Sequence, residues 1–266
     1  MNGNRIENKL SELKEQNKKA FITYVTAGLP DLEKTKAIIK AQEAAGTDII
    51  ELGIPFSDPI ADGPVIQQAS YEAILNGSTL GKIFVCLEEL RQEGVNIPIV
   101  FMMYSNTVLH YGVEEFAKKC QETGVDGLII PDLPFEEQDE LASALKGSDK
   151  TILLQLVSPV SKERIPMILE NARGFVYCVS SMGVTGQKDG FHKEIINYLK
   201  MVKENSKIPV MMGFGIKTAK DIEPMKDIID GAIVGTHFIN VLRESDFDEK
   251  VAAKYCTDFK NEMNNL

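Results

Sequence analysis

The chain has no tryptophan, only three histidines and only four cysteines in 266 residues. Each scarcity excludes something. His110, His192 and His237 lie far apart and form no ligand-spaced cluster, which argues against a metal site. Cys86, Cys120, Cys178 and Cys256 include no C-x-x-C pair, and three of them sit in periodic apolar segments. They are expected to pack in a core kept reduced, in the cytoplasm, rather than to form a disulfide framework. Basic residues are outnumbered, 29 Lys and Arg against 39 Asp and Glu, for a net charge of -10. That balance argues against nucleic acid or an anionic membrane as the main partner, and an anionic substrate would need local help from backbone N–H groups. No apolar run approaches the roughly eighteen residues of a membrane span, and the polar start of the chain has no secretory pattern.

What the sequence does have is alternation. Short apolar runs at Phe21–Val25, Asp48–Leu52, Ile97–Met103, Gly127–Ile130, Thr151–Leu156, Phe175–Val179, Val210–Met212 and Ala232–Val234 read as eight buried strands. Helical patterns separate them, including 64–76, 79–93, 113–123, 136–145 and 248 to the end, with Asp31 and Ser161 as caps and Gly46 and Gly124 as stops. Ile6, Leu10 and Leu13 recur at helical spacing ahead of the first strand. Eight strand–helix units with no linker between them predict a single α/β domain over 1–266, a (β/α)8 TIM barrel with an extra N-terminal helix. A doubly wound sheet that binds dinucleotides would carry G-x-G-x-x-G after its first strand, and none is there.

In such a barrel ligands bind at the C-terminal strand ends. The second strand ends at Glu51, and the Pro/Gly-punctuated loop behind it carries Asp58 and Asp62 before a helix starts at Pro64. Glu51 and Asp62 suggest general acid/base chemistry with two distinct proton sites, and Asp58 is assigned to the loop itself. Tyr24, Tyr104 and Tyr177, near three other strand ends, would form with Phe214 and Ile60 an aromatic cup for a flat ring. The loops after strands seven and eight carry Gly213, Gly215, Gly235 and Thr236, which fits a phosphate held by backbone N–H groups at a helix start. The long segment Ser180–Gly190 has the composition of a lid.

Several motifs then converge. Glu-Leu-Gly-Ile-Pro-Phe-Ser-Asp-Pro-Ile-Ala-Asp-Gly-Pro at Glu51–Pro64 resembles the signature of the tryptophan synthase alpha chain family. So do Tyr-Val-Thr-Ala-Gly at 24–28, Met-Tyr-Ser-Asn at 103–106, Pro-Asp-Leu-Pro at 131–134, Gly-Val-Thr-Gly at 183–186 and Gly-Phe-Gly-Ile at 213–216. The resemblance implies retro-aldol cleavage of indole-3-glycerol phosphate to indole and glyceraldehyde 3-phosphate, with no metal or cofactor on this chain. Glu51 matches the family's acid/base and Asp62 the carboxylate that receives the indole N1–H. Thr185 matches a lid residue that holds Asp62, Tyr177 a residue beside Glu51, and Gly186, Phe214, Gly215, Gly235 and Thr236 the phosphate region. A tryptophan synthase beta chain carrying pyridoxal phosphate is the implied partner, in an α2β2 assembly, facing the loop Ile54–Ile60. Ser181, where some members carry Arg, and Thr236-His237-Phe238 depart from the usual pattern. A free-standing indole-3-glycerol phosphate lyase and a non-catalytic regulatory subunit stay open as alternatives. Another phosphate-binding barrel of the same pathway would lean on a strand-end lysine that is absent here.

Overall fold

The computed structural model describes residues 3–179, 188–213 and 215–266, with side chains of 188–193 excepted. In chain order the elements are α1 (Arg5–Glu15), β1 (Ala20–Thr26), α2 (Leu32–Ala44), β2 (Ile49–Gly53), α3 (Pro64–Leu75), α4 (Leu80–Gln92) and β3 (Ile99–Met102). Next come α5 (Ser105–Tyr111), α6 (Val113–Thr123), β4 (Gly127–Ile129), α7 (Asp139–Leu145), β5 (Ile152–Leu153), β6 (Gln155–Val157), α8 (Ile165–Leu169) and β7 (Val176–Cys178). The chain ends with α9 (Lys188–Asn205), β8 (Val210–Met212), β9 (Gly231–Val234), α10 (Thr236–Glu244) and α11 (Glu249–Asn264).

All strand pairings are parallel, in the order β5-β4-β3-β2-β1-β9-β8-β7-β6. The two ends of that order, β5 and β6, are separated only by Leu154, whose N–H still bonds Leu128 O at 2.9 Å. The fifth strand of the sequence reading is therefore one extended segment that pairs with β4 through its first half and with β7 through its second. The sheet closes through it, giving the (β/α)8 barrel with one strand stepped at Leu154. Closure matters because it leaves no strand edge exposed.

Side chains from alternate positions fill the barrel. Ala20, Ile22, Ile49, Val100, Ile129, Leu154, Phe175, Met211 and Ile233 form an inner core, and Ile6, Leu10 and Leu13 of α1 join it from the N-terminal face. Burying each of those three apolar side chains contributes roughly 1.5–3 kcal/mol, so α1 is a plug for the barrel floor. Gly127 makes room for it: a Cβ there would stand 2.8 Å from Ile6 Cδ1. Asn4 caps α1 by accepting from Ile6 N, and its amide donates to Asp126 O and Lys150 O at 2.7 Å each. With its floor sealed, the barrel is open for chemistry only at the opposite end.

The helix boundaries follow local chemistry. Asp31 accepts from Lys34 N at the start of α2, Pro64 opens α3, and Gly124 ends α6 in the left-handed region at φ 81°. Two expectations need correction. Ser161 does not cap the helix after the fifth strand; Ser158 does, and Ser161 is its partner in a capping box at the head of a 3-10 turn, Pro159–Arg164. The helix expected at 136–145 begins as a 3-10 turn at Phe135–Glu137 and becomes α-helical only from Asp139. The short helices α5 and α10 complete the exit loops of β3 and β9, where the sequence pattern showed only punctuation.

Candidate active site

Glu51 projects from β2, opposite Tyr24 of β1 in register, and is 4% exposed. Among the described residues nothing hydrogen-bonds its carboxyl. Burial, and then the nearby Asp62 carboxylate, push its pKa up to about 8. A buried carboxyl without a partner stays protonated near neutrality, and so becomes a proton donor.

Asp62 reaches the same cavity from the loop after β2. That loop is tied down in several places. Phe56 N donates to Ser70 Oγ of α3 at 3.0 Å, Asp62 N closes a turn on Pro59 O at 3.0 Å, and Gln67 Nε2 donates to Asp62 O at 2.9 Å. The Tyr104 hydroxyl donates to Asp62 Oδ2 at 2.8 Å and accepts from Ala61 N at 3.0 Å. The Phe56 ring stacks on Tyr104 with centroids 5.2 Å apart. Burial raises Asp62 to about 6, with the Tyr104 hydrogen bond opposing the rise. At neutral pH the two acids therefore differ: Glu51 mostly holds its proton and Asp62 has mostly lost its own. Pairs separated in this way mark acid and base assignments.

A cavity of about 860 Å³ opens over both carboxyls. Tyr24, Tyr177, Gly215, Gly235 and Thr236 of the expected site residues all line it, together with Glu51 and Asp62. Burial raises the phenols of Tyr24 and Tyr177 well above the usual tyrosine range, so both are neutral hydrogen-bonding groups. Each tyrosine sits over a glycine at a neighbouring strand end. A Cβ on Gly53 would stand 2.0 Å from the Tyr24 hydroxyl, and one on Gly213 would stand 2.4 Å from that of Tyr177.

Tyr104 is buried and acts on the cavity from behind, through Asp62, rather than lining it. Ile60 is not part of the cup: it is 81% exposed and lies outside the cavity lining. Back-to-back turns, Ile60 N to Asp58 O at 2.9 Å and Asp62 N to Pro59 O, accompany that outward placement. Asp58 accepts from Ser57 Oγ at 2.5 Å and stays in the loop. Thr185, Gly186 and Phe214, Ser181, and the segment 180–187 of the expected lid lie outside the described residues.

The cavity also has walls that sequence reasoning passed over. Met102, Ile129 and Ile66 supply apolar surface, and Gln155 donates to Gln138 Oε1 at 2.8 Å along one side. Lys217 and His237 stand at the end that holds Gly215, Gly235 and Thr236. Lys217 follows a glycine-bearing strand exit, the one signal that could have singled it out, and His237 stood out in the sequence only as a departure from the family pattern.

A closed parallel barrel with two differently ionised carboxyls and a glycine-lined recess at its C-terminal mouth defines a TIM-barrel enzyme that moves protons on a small phosphorylated substrate. The comparisons with known proteins narrow the class. The family model for the tryptophan synthase alpha chain matches residues 10–266. A tryptophan synthase alpha chain of Lachnospira eligens is 63% identical over 262 residues, covering 98% of this chain and 99% of the relative. A crystal structure of the alpha subunit from Legionella pneumophila superposes with a TM-score of 0.89 at 32% identity, covering 99% of each chain. Tryptophan synthase of Mycobacterium tuberculosis gives 0.87 at 31% identity, covering 98% of this chain and 99% of that one. The chain belongs to the tryptophan synthase alpha chain family, lyases that cleave indole-3-glycerol phosphate to indole and glyceraldehyde 3-phosphate and work with a beta chain.

Proposed function

We propose that Glu51 is the acid/base of this cleavage and Asp62 its fixed anion. The observation that carries the reading is the split between the two carboxyls of one cavity, Glu51 raised to about 8 and Asp62 to about 6. Protonated Glu51 donates to indole C3, which loads positive charge onto the ring. Ionised Asp62, held by Tyr104, accepts the indole N1–H and stabilises that charge. The Glu51 carboxylate then takes the proton of the glycerol hydroxyl as the C3–carbon bond breaks, so one proton enters and one leaves. The carbon–carbon cleavage needs only the two proton transfers that these residues can carry, which fits a reaction with no cofactor on this chain.

Tyr24 and Tyr177 flank the ring, while Gly215 of the loop after β8 and Gly235 and Thr236 at the start of α10 hold the phosphate by N–H and hydroxyl donors. Thr185, Gly186 and Phe214 join them by their match to the family. The partner beta chain, carrying pyridoxal phosphate, docks against the loop of Ile54–Ile60 in an α2β2 assembly. The outward side chain of Ile60 fits that role, because a large apolar group left in water next to an active-site loop suits a protein contact. Residues 1–266 act as one domain, since a single closed sheet spans 20–234 and α1 and α11 pack against it. Among the described residues no helix is long and apolar enough to cross a membrane, and we place the enzyme in the cytoplasm.

The test is indole release from indole-3-glycerol phosphate by the wild type and Glu51→Gln, with and without a beta chain. Slow turnover that the beta chain accelerates and the substitution abolishes is the expected result. Fast turnover of the chain alone would reassign it as a free-standing lyase. No turnover in either condition would leave only a binding role.

A further inference from the structure

The protein carries a net charge of -10 and two carboxyls in its cavity, yet its substrate bears a phosphate. Helix-end donors alone must then work against a repulsive field. Among the described residues, three side chains of the basic types line the cavity and lie outside the roles assigned above: Arg164, Lys217 and His237. Arg164 is already committed, because its guanidinium grips both carboxylate oxygens of Glu136. Lys217 is not: among the described residues no carboxylate lies within ion-pair distance of its ammonium.

The backbone of Lys217 is held on both sides. Its N–H donates to Asp221 Oδ2 at 2.9 Å, and its carbonyl accepts from the Tyr255 hydroxyl at 2.8 Å. The same Tyr255 packs edge-on against the His237 ring, with centroids 5.6 Å apart. Tyr255 of α11 thus holds one loop by its backbone, at Lys217 after β8, and the other by a side chain, His237 in the first turn of α10. The same two loops carry Gly215, Gly235 and Thr236, which line the same cavity.

We propose that Lys217 and His237 are substrate-binding residues that grip the phosphate from its solvent side, with Tyr255 as the positioning residue that holds them. The proposal rests on the reading of this end of the cavity as the phosphate recess. Lys217 supplies the charge that the glycine and helix-end donors lack. His237 supplies a ring N–H, which imidazole offers in either protonation state. Both contacts go to a group remote from the reacting carbon, so they strengthen binding of substrate and transition state alike. Their loss therefore raises KM and spares kcat.

The test compares Lys217→Gln, His237→Asn and Lys217→Arg with the wild type. Steady-state cleavage of indole-3-glycerol phosphate is measured together with binding of two non-cleavable probes, indole-3-propanol phosphate and indole-3-propanol. For Lys217→Gln and His237→Asn, KM and the Kd of the phosphorylated probe are expected to rise about 3- to 10-fold each, the equivalent of one solvent-exposed hydrogen bond. kcat changes less than about twofold, the Kd of unphosphorylated indole-3-propanol stays put, and Lys217→Arg keeps most of the affinity. Unchanged KM and Kd in both variants would overturn the proposal, and so would equal weakening of the two probes, which marks a packing role. A wild type that binds the two probes equally would instead overturn the phosphate recess itself.

Discussion

Tyr104 Oη lies 2.8 Å from Asp62 Oδ2 and donates to it, joining the exit of β3 to the loop that follows β2. The same oxygen accepts from Ala61 N, so one phenol fixes both the charge and the backbone beside it. This hydrogen bond opposes the rise that burial imposes on Asp62. In Tyr104→Phe the opposition is gone, and Asp62 should titrate above its present value of about 6. The acid limb of the kcat/KM profile then moves to higher pH. Loss of activity is expected to be about 3- to 10-fold at pH 7 and larger at pH 6. An acid limb that stays in place would show that Asp62 does not control it.

Glu51 gives a stability prediction whose sign is the reverse of an ion-paired acid. Its folded-state value is raised from 4.5 to about 8 by burial. Below pH 4.5 both folded and unfolded chains hold the proton. Between 4.5 and 8 the unfolded chain releases it while the folded one keeps it, so wild-type stability declines through that window. Glu51→Gln removes the decline. The variant should gain on the wild type progressively and lead by a few kcal/mol at pH 8–9, with near-equality at pH 4. Urea unfolding at several pH values measures the difference; a gap independent of pH would mean that Glu51 is not the desolvated acid described.

The parts of this architecture that the sequence made legible are those encoded by short-range pattern. Ile6, Leu10 and Leu13 announced α1 by spacing, and Glu51 announced itself as an acid at the end of an apolar run. Other features depend on contacts between distant segments. The step at Leu154 reflects the need of one strand to serve two neighbours at barrel closure, which no local pattern records. Ile60 looked like a cup residue because it sits between Asp58 and Asp62, but tight turns reverse the chain twice in that interval. Lys217 and His237 gain their meaning from Tyr255, which lies 38 residues from Lys217 in sequence. The phosphate end was expected to rely on backbone N–H groups and Thr236 without Lys or Arg, since overall charge says nothing about where individual cations point.

Gly53 and Gly213 yield a steric prediction. Tyr24 and Tyr177 fold over them so closely that a methyl group at either glycine would overlap the phenol ring, at 2.0 Å from the Tyr24 hydroxyl and 2.4 Å from that of Tyr177. Neither glycine has a positive φ, so the problem is space and not backbone conformation. In Gly53→Ala or Gly213→Ala the tyrosine must swing away from the strand end. The variants should stay folded, lose affinity for the indole probe, and drop in kcat/KM by about 10-fold or more. Pairing Gly53→Ala with Tyr24→Ala, which removes the ring carbons at 2.4 and 2.7 Å as well as the hydroxyl, should recover whatever part of that loss exceeds the cost of Tyr24→Ala alone. No recovery in the double variant would place the fault elsewhere in the barrel.

Asp126 carries the last prediction, at the opposite end of the barrel from the chemistry. Its carboxylate is 1% exposed and bonds Arg5 Nη1, Arg91 Nη2 and Ile99 N, each at 2.8 Å. Burial pushes its pKa up, while the two guanidinium groups pull the other way. Arg91 is itself largely enclosed, and burial lowers it to about 10. Asp126→Ala therefore strands a buried guanidinium and frees the start of α1 from the barrel floor. The expected loss is about 3–5 kcal/mol of unfolding free energy, read from urea midpoints at constant slope. Arg5→Ala should lose far less, about 0–1 kcal/mol, because its side chain is 40% exposed. If the two substitutions were equally damaging, the floor would be fixed by the anchoring of α1 through Arg5 and not by the ion pair with Arg91.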